Sequence, residues 1–95
     1  MSKKGNNKTR VTFKCYAPEA GNVSVAGSFN NWDISSHPLK RNNNGKEDGE
    51  WQKAIYLEPG IYEYRFVVDG LWNNDPLCEE FRDNELGNSN CVLRI

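Results

Sequence analysis

The sequence has few of the residues that most often carry catalysis and metal binding. Its 95 residues include one histidine, His37, and three cysteines, Cys15, Cys78 and Cys91, with no C-x-x-C pair among them. Zinc sites need several such ligands at short spacing, so we expect no metal site and a structural or solvated His37. The sequence also lacks the glycine-rich loop that cradles nucleotide phosphates. It therefore implies no cofactor.

An excess of one charge and long apolar runs are missing as well. The chain carries 12 Lys and Arg against 13 Asp and Glu, a formal net charge of -1. Partners such as nucleic acid or an anionic membrane normally require clustered cations, so neither is expected. No segment has the length of a membrane span or the apolar stretch of a secretory signal. We predict a cytoplasmic protein with free thiols, although a Cys15–Cys91 bridge stays open if their strands pair.

Short alternating segments, separated by Gly, Pro and Asn, predict an all-β fold. They begin with a run from Thr9 that ends before Pro18, and continue at residues 22–27, 50–57, 61–68, 71–72 and 90–95. This spacing is typical of a small antiparallel β-sandwich. We expect one domain over residues 9–95, preceded by a flexible tail at residues 1–8. Residues 77–86 are expected to form at most a single helical turn in an irregular connection.

The run at residues 61–68 separates two faces of one predicted strand. One face carries three aromatic residues and a valine and belongs to the core, whereas the other is mixed and sends Arg65 outward. Asp69-Gly70 follows and predicts a two-residue hairpin turn. The core-facing residues are Tyr62, Tyr64, Phe66 and Val68, and the outward-facing residues are Ile61, Glu63, Arg65 and Val67.

The three tryptophans fall into two groups. Trp51 is in phase with apolar residues of its strand, which indicates a core position. Trp32 and Trp72 each follow a turn and lie next to two asparagines. An indole face matches the apolar face of a sugar ring, and amides such as that of Asn31 or the guanidinium of Arg65 can bind neighbouring hydroxyls. The residues alone leave two interpretations open, loop caps or carbohydrate-binding rings.

Four motifs in the same order resemble the family 48 carbohydrate-binding modules. They are VSVAGSFNNWD, PLKR, EWQKAIYLEPGIYEYRFVVDGLWNNDP and NELGNSNCVLRI. That family includes the glycogen-binding domain of the AMP-activated protein kinase beta subunit and the amino-terminal modules of branching enzymes and isoamylases. The resemblance runs from about Val11 to Ile95. It implies an immunoglobulin-like early-set sandwich that binds α-1,4-linked glucans such as glycogen, starch and maltooligosaccharides.

The resemblance also implies roles for individual residues. The tryptophan after the G-S-F-N-x turn, Trp32 here, stacks on glucose, and the tryptophan after the V-D-G turn, Trp72 here, is its partner. A basic residue in the Y-x-F strand hydrogen-bonds sugar hydroxyls. This residue is lysine in the kinase-type domains, whereas this chain has Arg65.

The L-G-x-x-N segment of the family adds further contacts. Its leucine inserts into the turn of the helical glucan and its asparagine hydrogen-bonds the sugar, which points to Leu86 and Asn90. The position after Leu-Gly is often threonine in the family and is Asn88 here. All of these assignments are what the resemblance implies.

The predicted function is noncatalytic binding of an α-glucan, which brings an attached or associated activity to the polysaccharide. That activity would be a glycogen- or starch-metabolising enzyme or a kinase. The alternative is a protein-interaction domain without sugar binding, because early-set sandwiches also dock partners. An enzyme has the weakest support, since nothing rigid would fix the separation of two carboxylates in the acidic connection. Those acidic residues are Glu79, Glu80, Asp83 and Glu85.

Overall fold

The fold is known from a computed structural model, which describes residues 8–41, 49–84 and 87–95. Within these ranges the chain forms eight β-strands and one turn of 3-10 helix, Ser28–Asn30. The predicted tail falls outside the described residues except for Lys8. The strands are β1 Thr9–Tyr16, β2 Val23–Gly27, β3 Lys40–Arg41, β4 Glu50–Leu57, β5 Ile61–Val68, β6 Leu71–Asn73, β7 Phe81–Asp83 and β8 Ser89–Arg94.

The strands form two antiparallel sheets. The smaller has the order β1-β4-β3, and the larger has the order β2-β5-β8-β7 with β6 paired to β5. Strand β8 pairs with the first half of β5 and β6 pairs with the second half, so the two share one edge of β5. Strand β2 pairs along the opposite edge. The predicted all-β antiparallel sandwich is confirmed, and β5 is the strand that organises its larger sheet.

The core lies between the two sheets and takes apolar side chains from both. Phe13 of β1 packs edge-to-face on Tyr64 of β5, with ring centroids 5.0 Å apart. Phe66 is fully buried beside them. Burial of one such aromatic side chain contributes about 1.5–3 kcal/mol, so this layer stabilises the contact between the sheets. The remaining buried core residues are Cys15, Ala20, Val23, Val25, Leu39, Trp51, Ile55, Leu57 and Cys91.

The two predicted faces of β5 are both present. Tyr64 and Phe66 are buried, and Arg65 lies on the opposite face. Val67 is on the outward face yet only 4% exposed. It is paired with Ser24 of β2 and Trp72 of β6. Because side chains directly opposite one another in neighbouring strands lie close together, these two partners shield it from solvent.

The predicted hairpin after β5 is also present. Asp69 and Gly70 have φ angles of 50° and 85°, which places both central residues in the left-handed region that this turn requires. The carboxylate of Asp69 also accepts hydrogen bonds from the backbone N–H groups of Gly21 and Asn22, at 2.9 and 2.8 Å. The turn is therefore anchored to the segment before β2 and holds β6 against β5.

Two short strands were not predicted. Strand β3 comprises only Lys40–Arg41, too short for an alternating pattern to be visible. Strand β7, Phe81–Asp83, lies where the sequence predicted an irregular connection, and that prediction is wrong for these residues. All three residues of β7 are exposed on a strand that pairs with β8 at the end of the sheet. A strand that buries neither face leaves no hydrophobic alternation in the sequence.

The three cysteines are free thiols. Cys15 lies on β1 and Cys91 on β8, in opposite sheets, so the strand pairing on which a bridge depended does not occur. Burial, followed by hydrogen bonding to Cys78, raises the pKa of the Cys91 thiol to about 12. Burial also raises the pKa of Cys15. Both groups therefore behave as small apolar core residues.

Candidate functional site

An open cavity of about 750 Å³ lies on the outward face of the larger sheet. Its floor comes from β5 and β8, and its walls come from the turn after β2, from β6, and from Asn84 and Asn88, which precede β8. Pockets of this size suit small organic ligands or short segments of a polymer. Its lining residues are Ser28, Trp32, Glu63, Arg65, Trp72, Asn84, Asn88 and Asn90.

Trp32 reaches the cavity because the chain reverses sharply after β2. The Trp32 backbone N–H donates to the carbonyl of Gly27 at 2.9 Å, which closes the turn. Asn31 and Trp32 both have φ 59°, in the left-handed region. Asparagine adopts this conformation readily, but a bulky residue such as tryptophan does so at a cost in free energy. Such strain is common at ligand-binding sites, where the surrounding structure holds the residue in place.

The two asparagines before Trp32 have different surroundings. The Asn30 side chain accepts from the Gly27 N–H at 3.0 Å and lies 2.9 Å from Nδ1 of His37. It also donates to the carbonyl of Val25 at 3.2 Å. Asn30 and His37 therefore shape the turn, in agreement with the structural role expected for the histidine. Asn31, the predicted sugar-binding residue of the pair, is exposed and is not among the cavity-lining residues.

Trp72 forms the wall next to Trp32. It lies on β6 opposite Val67 and is 43% exposed. Its ring centroid is 6.3 Å from that of Trp32, with 50° between the ring planes. The structure thus brings together two tryptophans that are 40 positions apart in sequence. Both rings line the same cavity. Trp51, in contrast, is a core residue as predicted, and its indole N–H donates to the carbonyl of Ala17 at 2.9 Å.

Arg65 lies on the cavity floor and is held from one side. Its Nε donates to Oδ1 of Asn74 at 3.0 Å, and the Asn74 amide donates in turn to the Ser89 hydroxyl at 3.5 Å. The next residue, Asp75, accepts a hydrogen bond of 2.7 Å from the hydroxyl of buried Tyr64. Burial and this hydrogen bond raise the pKa of Tyr64 well above its ordinary value. The tyrosine therefore stays protonated and fixes the segment that positions Arg65.

The asparagines near β8 complete the cavity. Asn90 is 7% exposed, and its amide donates to Oε1 of Glu63 at 3.0 Å. Its Oδ1 accepts from the Asn84 amide at 3.4 Å. Asn88 is exposed at the rim, and its backbone N–H donates to the Asn84 side chain at 3.1 Å. The structure therefore places Asn88 and Asn90 in the cavity, whereas Leu86 lies outside the described residues.

Three cavity-lining residues were not among the predicted site residues. Glu63 precedes Arg65 by two positions on the outward face of β5, so the alternation that placed Arg65 outward also pointed to Glu63. Ser28 begins the turn after β2, and its hydroxyl accepts from the Glu63 backbone N–H at 3.1 Å. Asn84 follows β7, the strand that the sequence did not reveal. Across the described ranges, no group of three or more metal-ligating side chains occurs.

Comparison with known proteins places the chain in a family. The family model described as the glycogen recognition site of AMP-activated protein kinase matches residues 9–95. The AMP-activated protein kinase subunit beta-1 of Sus scrofa is 30% identical over 95 residues, which cover all of this chain and 71% of that protein. The chain belongs to this glycogen-recognition family of carbohydrate-binding domains.

Two further relatives are much longer than this chain. Protein FLOURY ENDOSPERM 6, chloroplastic, of Oryza sativa subsp. japonica is 32% identical over 94 residues, 99% of this chain and 16% of that protein. The 1,4-alpha-glucan branching enzyme GlgB of Halothermothrix orenii is 48% identical over 65 residues, 66% of this chain and 10% of that enzyme. The likeness to these two relatives covers a small part of their length.

Within the parts of the chain that the structure describes, no helix combines the length and apolar character of a membrane span.

Proposed function

We propose that this domain binds α-1,4-linked glucans without transforming them, and that Trp32 and Trp72 form the surface on which glucose units stack. The observation that carries the proposal is the pair of inclined indole rings 6.3 Å apart, beside polar groups on the outward face of the larger sheet. Membership of the glycogen-recognition family supports the same ligand class. A single domain over residues 9–95 is part of the proposal.

The chemistry of the cavity suits a sugar polymer with an apolar and a polar side. Each indole offers a flat apolar face to the C–H face of a glucose ring. Arg65 presents a planar donor group that can bridge two neighbouring hydroxyls, and its bond to Asn74 limits the conformational entropy lost on binding. Asn88 and Asn90 add amide groups. We expect dissociation constants of roughly micromolar to millimolar, because the entropy lost on association offsets much of the favourable free energy of the contacts.

The biological role that we propose is targeting. A domain that binds glucan without acting on it would concentrate an attached or associated enzyme or kinase on the polysaccharide. Two relatives support such an association, because one is a kinase subunit and the other is a branching enzyme. The cytoplasmic location remains a prediction, and the rice relative is named as chloroplastic.

Titration with β-cyclodextrin and maltoheptaose, followed by tryptophan fluorescence, tests the proposal. We expect saturable binding by the wild type and at least a thirtyfold loss of affinity in Trp32→Ala and Trp72→Ala, since buried aromatic anchors contribute about 2 kcal/mol or more. Tyr56→Ala is the matched control. Tyr56 is a 58% exposed aromatic residue of β4, in the other sheet, and its removal should leave affinity unchanged.

Three outcomes would contradict the proposal. Absence of binding at millimolar sugar would contradict glucan as the ligand and favour the protein-interaction alternative. Equal losses of affinity in Trp72→Ala and Tyr56→Ala would show that the cavity is not the binding site. Release of reducing ends from glycogen by the pure protein would contradict the noncatalytic role.

A further inference from the structure

Glu63 introduces a negative charge into a cavity whose other charged lining residue is Arg65. Both residues lie on the outward face of β5, two positions apart, so their Cα atoms are separated by about 7 Å. One is an obligate donor and the other an ionised acceptor. A sugar hydroxyl both donates and accepts hydrogen bonds. A donor and an acceptor at this spacing can therefore contact neighbouring hydroxyls of one glucan chain.

The carboxylate of Glu63 is held in place by one residue of β8, the strand next to β5, and by one residue of β7, the strand beyond it. Arg82 of β7 binds Oε2 at 3.0 Å, and Asn90 of β8 donates to Oε1 at 3.0 Å. The Glu63 side chain retains 24% exposure despite these contacts. A carboxylate has about four acceptor positions, and these two hydrogen bonds occupy two of them. The group is thus oriented and still able to accept hydrogen bonds from a ligand.

Arg82 differs from Glu63 in its relation to the cavity. Its side chain is 52% exposed and is not among the cavity-lining residues. An exposed ion pair of this kind contributes little to folding stability. Its visible effect is to fix the carboxylate of Glu63 from outside the cavity.

We propose that Glu63 is a ligand-binding residue of this domain. Its carboxylate, oriented by Arg82 and Asn90, accepts hydrogen bonds from glucose hydroxyls while Arg65 donates to their neighbours. This inference rests on the proposed function, since it names a further residue of the same site. It assigns Glu63 a direct contact with sugar and Arg82 a positioning role.

The two partners of the ion pair provide a matched test. Glu63→Ala and Arg82→Ala both remove the ion pair, but only Glu63→Ala removes the acceptor from the cavity. We expect affinity for maltoheptaose, measured by calorimetry, to fall at least tenfold in Glu63→Ala, because hydrogen bonds to charged groups are the stronger ones. Arg82→Ala should lose threefold or less. Glu63→Gln, which keeps an acceptor oxygen without the charge, should recover part of the loss.

Thermal unfolding of each variant separates binding from folding, and titrations are made at a temperature where every variant is folded. Equal losses in Glu63→Ala and Arg82→Ala would mean that the ion pair acts only by supporting the structure, and would overturn the direct contact. Unchanged affinity in Glu63→Ala, with wild-type binding intact, would overturn this inference and leave the proposed function standing. Failure of the wild type itself to bind would overturn both.

Discussion

The inner and outer faces of β5 have different roles. On the inner face, Tyr64 and Phe66 are 7% and 0% exposed and pack in the layer between the sheets. On the outer face, Glu63 and Arg65 line an open cavity and are held by hydrogen bonds to side chains of other segments. A strand alternates its side chains between two faces, so one eight-residue segment can stabilise the fold with one set and recognise a ligand with the other.

The aromatic residues of the two faces differ in the same way. Aromatic rings of the inner face pack edge-to-face against each other, as Phe13 and Tyr64 do. The rings of Trp32 and Trp72 reach the outer face from a turn and from a short strand that follows a turn. A residue at a turn is free of the packing density that the core imposes. The comparison implies that core substitutions change stability first, whereas cavity substitutions change affinity first.

The largest expected effect is on the inner face. Phe66→Ala removes a fully buried ring and should lower the free energy of unfolding by about 3–5 kcal/mol. Chemical denaturation with urea measures this loss. Below the transition, the remaining folded fraction should bind glucan with wild-type affinity. A stable Phe66→Ala variant with selectively weakened binding would break the division between the two faces.

Gly27→Ala tests the end of β2, where the turn that carries Trp32 begins. A Cβ atom at Gly27 would lie 2.6 Å from the Phe29 ring and 3.0 Å from Cβ of Tyr64. Such overpacking costs about 1–3 kcal/mol, and the strand end that carries the Trp32 turn must shift. We expect lower stability and lower affinity together, measured by thermal unfolding and by titration of the same sample. A variant that loses neither would show that the close approach at Gly27 is not required.

Arg65→Lys examines the donor geometry of the cavity floor. Lysine keeps the charge but loses the planar group whose Nε is bound to Asn74. One hydrogen bond contributes about 0.5–1.5 kcal/mol, so affinity should fall roughly two- to tenfold while stability changes little. Calorimetric titration of maltoheptaose and β-cyclodextrin makes the measurement. A gain in affinity would indicate that the bond to Asn74 restrains the cation unfavourably.

The smallest expected effect concerns the outer face beyond the cavity. Arg94 of β8 binds the carboxylate of Glu80 at 2.7 and 2.6 Å, which lowers the pKa of Glu80. The stabilising contribution is therefore present above the ordinary pKa of glutamate and is lost as the pH falls through the lowered value. Both side chains are exposed, so Arg94→Gln should lower Tm at neutral pH by on the order of one to two degrees. That difference should shrink as the pH falls through the lowered pKa of Glu80, and glucan affinity at neutral pH should not change.

Alternation and turn chemistry made much of the fold predictable. The long strands, the Asp69-Gly70 hairpin and the core position of Trp51 all follow from local patterns that agree with the final packing. Strand β7 could not be found in this way, because its pairing with β8 leaves every one of its residues exposed. Its stability comes from a partner in the sheet and not from a buried face.

The site was less predictable because it depends on how turns direct side chains. Asn30 and Asn31 are chemically identical neighbours, yet hydrogen bonds to Gly27 and His37 commit Asn30 to the turn, whereas Asn31 is exposed and lies outside the cavity lining. Glu63 had a visible signal in its phase with Arg65. The role proposed for Glu63 could not be predicted from that signal, because it depends on contacts with Arg82 and Asn90, which come from strands distant in sequence.

The most direct test of the account follows the three indole N–H signals in a two-dimensional ¹H–¹⁵N NMR spectrum during titration with β-cyclodextrin. Trp32 and Trp72 line the cavity, whereas the indole of Trp51 is bound to Ala17 inside the fold. We expect the signals of Trp32 and Trp72 to move with one binding curve while that of Trp51 stays in place. Saturable binding that moves Trp51 and leaves the other two unchanged would contradict it.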